Sequence, residues 1–147
     1  MTPEAVIFTG IQESGKTTFY RERFAATHTR VSLDDVRSRP RERALLSQCL
    51  AAKRSFVVDN TNATKESRGP YIAAARDAGF RVIGYYFRTE PKKALERNRK
   101  RAGKEVIPAG GLFATAKRLQ PPEASEGYDE LHVVEIVDGG GFRIIQP

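Results

Sequence analysis

One stretch near the N-terminus combines residue types that bind the phosphates of nucleotides. Residues 10–17 read GIQESGKT and fit the pattern G-x-x-x-x-G-K-[ST]. An apolar, β-prone run at residues 5–9 precedes the motif, and residues 17–26 follow it without Gly or Pro, so it lies between a predicted strand and a predicted helix. The glycines let successive backbone N–H groups face one concavity, to which the helix N-terminus adds free donors and its positive dipole end. The spacing therefore predicts a phosphate-binding loop, or P-loop.

Two side chains at the end of this loop have defined roles in nucleotide chemistry. Lys16 is expected to reach the β- and γ-phosphates, and the Thr17 hydroxyl to ligate Mg²⁺. An accidental Gly-rich turn is the alternative, but four fixed positions in this context arise by chance in roughly under one per cent of chains. We therefore expect binding of ATP, or another nucleoside triphosphate, together with Mg²⁺. The predicted nucleotide contacts are Gly10, Gln12, Glu13, Ser14, Gly15, Lys16, Thr17 and Thr18.

Acidic residues follow two further predicted strands. Residues 29–32 precede Asp34 and Asp35, and residues 55–58 precede Asp59. Alone, such residues are typical of helix caps and turns, but the carboxyl ends of strands are also where α/β sheets bind ligands. Phosphoryl transfer needs one carboxylate that accepts the proton of the acceptor hydroxyl and another that holds Mg²⁺ through its water shell. We predict the metal role for Asp59 and the proton-accepting role for the earlier pair.

A basic helix is predicted from Pro91 onward. Lys93, Arg97 and Arg101 recur every four residues, so three cations share one helix face and repel one another unless an anion neutralises them. A solvated basic helix is the alternative interpretation. Beside a P-loop we favour a lid, spanning approximately residues 91–120, that presents arginines to the triphosphate.

The order of the predicted elements indicates the fold class. Apolar strands alternate with helices up to residue 87, and the continuous apolar run at residues 81–87 suggests a central strand covered on both faces. Residues 131–137 and 142–145 form a predicted terminal hairpin. We predict a single α/β domain over residues 1–147 with the P-loop NTPase fold. It would have a mainly parallel central sheet, helices on both faces, a helical lid and a C-terminal hairpin.

Two segments rich in Gly and Pro are predicted to limit helices. Gly69 and Pro70 lie within a helical pattern at residues 65–78 and should kink that helix or delay its start. Residues 107–111 contain one Pro and two Gly and should precede a short helix at residues 112–119.

Composition limits the class of protein. With 147 residues, 39% of them hydrophobic, the chain supports one core. One cysteine excludes an internal disulfide framework, and we find no signal segment or membrane-spanning run, so we expect a cytoplasmic protein without membrane contact. The net charge of +7 favours a polyanionic partner, although many charged side chains are ordinarily solvated.

Several separate stretches resemble the 5′-hydroxyl polynucleotide kinase family of P-loop phosphotransferases. The similar stretches are Gly10 to Phe19, Ser32 to Arg37, Val57 to Asn62 with Ser67 and Arg68 after it, Arg97 to Arg101, and Pro121 to Tyr128. The likeness spans nearly the whole chain, and its order and spacing are more specific than any one motif. It implies ATP-dependent transfer of the γ-phosphate to a 5′-hydroxyl end of DNA or RNA.

The resemblance also implies roles for individual residues. Asp34, as the first Asp of its motif, would be the general base, and Arg37 would bind a phosphate of the acceptor strand. Arg97 and Arg101 would clamp the donor phosphates and, with Lys16 and Asp34, form the catalytic set. The implied acceptor-binding residues are Asp34, Arg37, Asn62 and Arg68.

Departures from the family pattern leave the acceptor open. Leu33 replaces a commonly polar residue, and Glu13 adds a negative charge to the phosphate loop, where it should point outward. One alternative is a P-loop kinase of a small-molecule or toxin-type substrate, and another is a nucleotide-binding regulator without transferase activity. Repair enzymes of the family often carry further modules, so we expect either action alone or association with repair-enzyme partners or fused modules.

Overall fold

A six-stranded sheet forms the centre of the computed structural model, which describes residues 2–100, 109–137 and 140–145. The strands are β1 (Glu4–Gly10), β2 (Thr29–Val31), β3 (Phe56–Val58), β4 (Arg81–Phe87), β5 (Glu130–Ile136) and β6 (Phe142–Ile145). Their spatial order is β2-β3-β1-β4-β5-β6. The first five are parallel and β6 returns antiparallel to β5, which confirms the predicted mainly parallel sheet with a terminal hairpin.

Helices cover both faces of this sheet. They are α1 (Lys16–Arg23), α2 (Leu33–Val36), α3 (Arg39–Ala51), α4 (Lys65–Asp77), α5 (Pro91–Arg99) and α6 (Ala109–Arg118). Side chains alternate along β1, so Ile7 packs in a cluster with Ile72 of α4, whereas Phe8 packs with Phe19 of α1. This period of two, with apolar residues at the four successive positions 5–8, is what a strand buried on both faces requires. Among the described helices, none combines the length and apolar character that a bilayer-spanning segment needs.

The C-terminal hairpin packs against the start of α1. The ring of Phe142 in β6 lies 5.1 Å from that of Phe19, in an edge-on arrangement. A Cβ added to Gly15 would lie 2.8 Å from the Phe142 ring, so the hairpin closes tightly against the end of the phosphate loop. Asp138 and Gly139 of the predicted turn lie outside the described residues.

The structure corrects two predictions about helix starts. Helix α4 begins at Lys65 without delay, because a capping box between Thr64 and Ser67 fixes its first turn. The helix contains Pro70, and the kink expected there as the alternative stays a prediction. Helix α6 begins at Ala109 and includes both glycines that were expected to precede it. Each glycine costs a helix about 1 kcal/mol, and burial of Leu112 in the same helix offsets that cost.

Candidate nucleotide and acceptor site

The loop between β1 and α1 has the backbone that a phosphate cradle requires. Glu13 and Gly15 have left-handed φ values of 62° and 93°, so the chain reverses sharply before α1. A Cβ on Gly10 would lie 2.7 Å from the Ser14 hydroxyl and 2.9 Å from Phe87, which leaves space for glycine alone. The loop is therefore held in its curled form by close packing at both glycines.

Lys16 lies folded against this loop. Its ammonium group donates to the carbonyls of Gly10, at 2.9 Å, and Ile11, at 2.8 Å. Burial lowers the pKa of Lys16 from 10.5 to about 8, while the nearby carboxylates of Asp59 and Asp34 oppose that shift. A phosphate that replaced the two carbonyls would supply negative charge and favour the protonated lysine.

The two predicted metal ligands lie together at the sheet edge. The Thr17 hydroxyl donates to Oδ2 of Asp59 at 3.2 Å, and Asp59 directly follows β3 with 4% of its surface exposed. A hydroxyl and a carboxylate oxygen are ligands that suit Mg²⁺, so the residues present fit the predicted metal. No cluster of three or more acidic, His or Cys ligands occurs in the part of the chain that the structure describes.

Arg30 on β2 also belongs to this site, although sequence reasoning gave it no role. Its guanidinium donates to Oδ2 of Asp59 at 2.9 Å, to the Thr17 hydroxyl at 3.1 Å and to Asp35 at 2.8 Å. The one signal for such a role in the sequence was that Arg30 is a charged residue inside a short predicted strand. The structure thus assigns to Arg30 the position beside both predicted metal ligands.

Asp34 lies on the single turn of α2, directly beyond the end of β2. Ser32 caps this turn by accepting from the Asp34 N–H at 3.3 Å, and Asp35 is paired with Arg30. The alternative interpretation, in which an aspartate caps this helix, is therefore wrong, because Ser32 already accepts from the free N–H group. The Asp34 side chain is exposed and lines a cleft that Asp59 also lines.

This cleft has a volume of about 620 Å³ and lies beside the phosphate loop at the carboxyl edge of β2 and β3. Arg43 of α3 and Arg118 of α6 line it, and both are exposed without an ion pair among the described residues. Arg39 also lines it but pairs with Glu42. Arg37, the predicted phosphate ligand, is exposed at the end of α2 and is not among the residues that line the cleft.

Of the predicted acceptor-binding residues Asn62 and Arg68, only Asn62 lines the cleft. Asn62 lines the cleft, where its amide donates to the Phe8 carbonyl at 2.7 Å. Arg68 is completely buried, with bonds of 2.9 and 3.0 Å to the Glu126 carboxylate and 2.8 Å to the Asn62 carbonyl. Arg68 therefore does not reach the acceptor cleft. Its guanidinium instead supports the loop that carries Asn62.

Arg97 of α5 reaches the phosphate loop. Its Nε donates to the Glu13 carbonyl at 2.8 Å, and its buried Nη2 has no hydrogen-bond partner within the described residues. Burial lowers the pKa of Arg97, and the Glu13 carboxylate opposes that shift. Glu13 itself is half-buried, and the outward orientation of its side chain stays a prediction. Arg101, the predicted partner of Arg97, lies outside the described residues.

The lid helices dock directly on the loop. Ile11 packs in a small apolar cluster with Ala94 of α5 and Leu112 of α6. The Gln12 amide donates to the Thr115 hydroxyl at 3.2 Å, which adds a polar contact between loop and lid. Of the other predicted nucleotide contacts, Ser14 is buried and Thr18 exposed.

Comparison with known proteins places this site in a family. The model of a family described as an AAA domain matches residues 39–122, which is more than half of the chain. The chain belongs to this AAA domain family. The matched span runs from α3 through α6, so it covers the Asp59 segment and the lid, and lies downstream of the phosphate loop.

A curated protein also has a sequence similar to that of this chain. The chain is 24% identical over 135 residues to a bifunctional polynucleotide phosphatase/kinase of Schizosaccharomyces pombe, covering 89% of this chain and 33% of that protein. The chain therefore spans about a third of the length of this curated relative.

Solved structures share the fold at low identity. A gluconokinase of Sinorhizobium meliloti has a TM-score of 0.61 at 15% identity, covering 89% of this chain and 82% of that one. Kti12 of Chaetomium thermophilum, in complex with ADP-AlF3, has a TM-score of 0.64 at 18% identity, covering 89% and 88%. The protein thus has the α/β fold of the P-loop kinases.

Proposed function

We propose that this protein is an ATP-dependent kinase that transfers the γ-phosphate to a 5′-hydroxyl end of DNA or RNA. One observation carries the proposal: the Asp34 carboxylate lines a cleft whose Thr61 carbonyl accepts from the Gly10 N–H of the phosphate loop, and that cleft is also lined by Arg43 and Arg118, which have no ion pair within the described part of the chain. A nucleic-acid end supplies both a hydroxyl for the carboxylate and phosphates for the arginines. The likeness to a polynucleotide phosphatase/kinase supports the same substrate class.

The donor triphosphate would lie in the curled loop. Lys16 would exchange its two carbonyl partners for phosphate oxygens, and the unpartnered Nη2 of Arg97 would donate to the same triphosphate. Arg101 is proposed as the second clamp from its place in the sequence. A Mg²⁺ ion held through Thr17 and Asp59 would neutralise charge on the β- and γ-phosphates.

Asp34 is proposed as the general base. It would accept the proton of the 5′-hydroxyl as the acceptor oxygen bonds to the γ-phosphorus and the bond to the bridging oxygen of ADP breaks. Within the described residues no hydrogen bond or ion pair holds the Asp34 carboxylate, whereas Asp35 is held by Arg30. The acceptor would also contact Asn62 in the cleft, and Arg37 would bind a phosphate farther along the strand.

A small-molecule or toxin-type kinase is the second candidate. The likeness of fold to a gluconokinase favours it, and a cleft of about 620 Å³ also has room for a sugar acid. A neutral or singly charged acceptor would leave at least one of the two unpaired arginines without a partner. A nucleotide-binding regulator is a third candidate, and it gives no role to Asp34.

The proposal is tested by incubating the protein with γ-labelled ATP, Mg²⁺ and a panel of acceptors. The panel contains single-stranded, nicked and blunt-ended 5′-hydroxyl oligonucleotides of DNA and RNA, the same oligonucleotides with 5′-phosphates, and gluconate with other small hydroxyl acceptors. We expect label on 5′-hydroxyl oligonucleotides and none on their 5′-phosphorylated counterparts. Label on a small acceptor alone would support the second candidate, and ATP binding without any acceptor-dependent turnover would support the third.

We further propose that the chain acts as a single kinase domain in the cytoplasm, alone or with repair modules. The relative in Schizosaccharomyces pombe is named for both a phosphatase and a kinase, and this chain spans only a third of it. Co-purification of this protein with a phosphatase or ligase from its own cells would test the association.

A further inference from the structure

A buried carboxylate lies at the cleft without a role in the proposed chemistry. Glu42 of α3 is 3% exposed, and it accepts from the Tyr71 hydroxyl at 2.6 Å, from the Asn60 amide at 2.8 Å and from Arg39 at 3.1 Å. Burial and the hydrogen bond to Glu42 raise the pKa of Tyr71 to about 12, so Tyr71 remains a donor. Each of these partners therefore donates to Glu42, which acts as acceptor only.

The same contacts fix the orientation of the Asn60 amide. Because Glu42 accepts, Asn60 must turn its NH₂ group toward Glu42 and its Oδ1 the other way. That oxygen accepts from the backbone N–H of Leu33 at 2.9 Å. Leu33 is the first residue of α2 and precedes Asp34, so a chain of two hydrogen bonds joins α3 to the turn that carries the proposed base.

We propose that Glu42 and Asn60 form a relay that positions Asp34, with Glu42 as a positioning residue that does not touch the acceptor. The role as positioning residue rests on the proposed function, because it presumes that Asp34 is the base. α2 is a single turn, too short to hold its orientation through its own hydrogen bonds. The relay and the Ser32 cap bond to two successive N–H groups of this turn and fix its first residues.

The relay makes a specific prediction about paired substitutions. Asn60→Asp keeps an oxygen for Leu33 but sets a second carboxylate against Glu42, and Glu42→Gln sets an NH₂ group against that of Asn60. In the double variant Glu42→Gln/Asn60→Asp the new amide donates to the new carboxylate, whose other oxygen accepts from the Leu33 N–H. The bond between positions 42 and 60 is then restored with reversed polarity, the bond from Leu33 keeps its direction, and the net charge is unchanged.

Two readouts separate positioning from stability. In single-turnover phosphorylation of a 5′-hydroxyl oligonucleotide, we expect each single variant to be slower by about 10-fold or more, while its ATP affinity changes by less than about 2-fold. The double variant should recover to within about 3-fold of the wild-type rate. By NMR, hydrogen exchange of the Leu33 amide should accelerate in each single variant and slow again in the double variant.

Tyr71→Phe provides the matched control, because it removes another hydrogen bond to Glu42 and leaves the link to Leu33 intact. We expect it to lower the melting temperature but to leave the transfer rate and Leu33 exchange unchanged. A double variant no better than the singles, or an equal loss of rate in Tyr71→Phe, would overturn the relay. If the wild-type protein phosphorylates no oligonucleotide, the proposed function fails, and the Leu33 exchange pattern still decides whether the relay exists.

Discussion

A substitution at Asp34 can separate the proposed proton transfer from the effect of side-chain shape. Asp34→Asn keeps the size of the residue but removes its basicity, so we expect transfer to slow by two to four orders of magnitude, about 3 to 5 kcal/mol of barrier. ATP affinity and melting temperature should change little, since Asp34 is exposed and its backbone N–H, not its carboxylate, makes the cap contact. Single-turnover phosphorylation checks this.

Asp35→Asn is the matched control for that variant. It weakens the ion pair with Arg30 but leaves the proposed base in place, so transfer should persist. A folded, ATP-binding Asp34→Asn protein that transfers phosphate at close to the wild-type rate would remove Asp34 from the mechanism.

Lys16 predicts a pH dependence of nucleotide binding. Its pKa in the free protein is about 8, lowered by burial, and a bound triphosphate favours the charged form and raises that pKa. ATP affinity should therefore be steady below the free pKa and fall as pH rises through 8, by at most about 10-fold per pH unit. Titrations from about pH 7 to 9.5 measure this. Lys16→Met should bind weakly at every pH, and a wild-type protein with the same flat profile would contradict the assignment.

Arg30 predicts a change in metal dependence. Its guanidinium bonds to Thr17 and Asp59, so its positive charge opposes a cation at the same two oxygens. Arg30→Gln should lower the Mg²⁺ concentration for half-maximal nucleotide binding by about five-fold or more, equivalent to ~1 kcal/mol. Fluorescence titration with an ADP analogue reports this without catalysis. Arg81→Gln removes an arginine from the exposed pair with Glu130 and should change nothing.

At the scale of elements, the buried pair of Arg68 and Glu126 joins α4 to the turn Ala124–Glu126 before β5. Arg68→Met leaves the Glu126 carboxylate without its cationic partner, so we expect a loss of about 3–5 kcal/mol in the free energy of unfolding. Arg81→Met breaks an exposed ion pair and should leave the free energy of unfolding almost unchanged. Urea unfolding measures both.

The same variant tests the role that sequence resemblance implied for Arg68. An acceptor ligand would lose oligonucleotide affinity with its stability intact, whereas the buried position predicts the reverse. Adding Glu126→Leu to Arg68→Met should recover part of the lost stability, since the unpaired charge is then gone. Failure to recover would mean that the bond from Arg68 to the Asn62 carbonyl, or the bond from the Glu123 N–H to Glu126 that the second substitution removes, carries the effect.

At the scale of the whole molecule, the net charge of +7 and the exposed arginines Arg43 and Arg118 at the cleft predict salt-dependent acceptor binding. Each phosphate contact to a single strand contributes about 0.7 to the slope of log K against log salt. Arg43→Gln, Arg118→Gln and Arg37→Ala should each make that slope shallower by about this amount. The change in slope is measured by anisotropy with a labelled 5′-hydroxyl oligonucleotide.

Arg81→Gln again serves as the control, because Arg81 lies at the opposite end of β4 from the cleft. If Arg37→Ala alone changed the slope, the result would indicate that the acceptor strand binds at Arg37 and outside the cleft. Identical slopes for all variants would favour a small-molecule acceptor.

Much of the nucleotide half of the site could be predicted from sequence. The phosphate loop lies within eight consecutive residues, so its glycines and Lys16 carry their geometry locally. The position of the site at the sheet edge could be predicted because Asp34 and Asp59 each follow an apolar strand, and the carboxyl ends of parallel strands meet at one edge. These inferences need only the backbone order, which hydrophobic patterning determines.

The tertiary structure alone decided which charged side chains face the site. In sequence, Arg68 and Arg43 look equally able to bind a ligand. In the structure, Arg68 is paired with Glu126, whereas Arg43 lies at the cleft without an ion pair among the described residues. Arg30 and Glu42 gave no motif, and their roles come from partners that other strands and helices supply. The physical reason is that a charge acts through the groups within a few ångströms of it, and those neighbours are set by long-range packing. The sequence by itself thus determined the P-loop fold and the position of the phosphate loop, whereas packing determined the cleft and the side chains that surround Asp34.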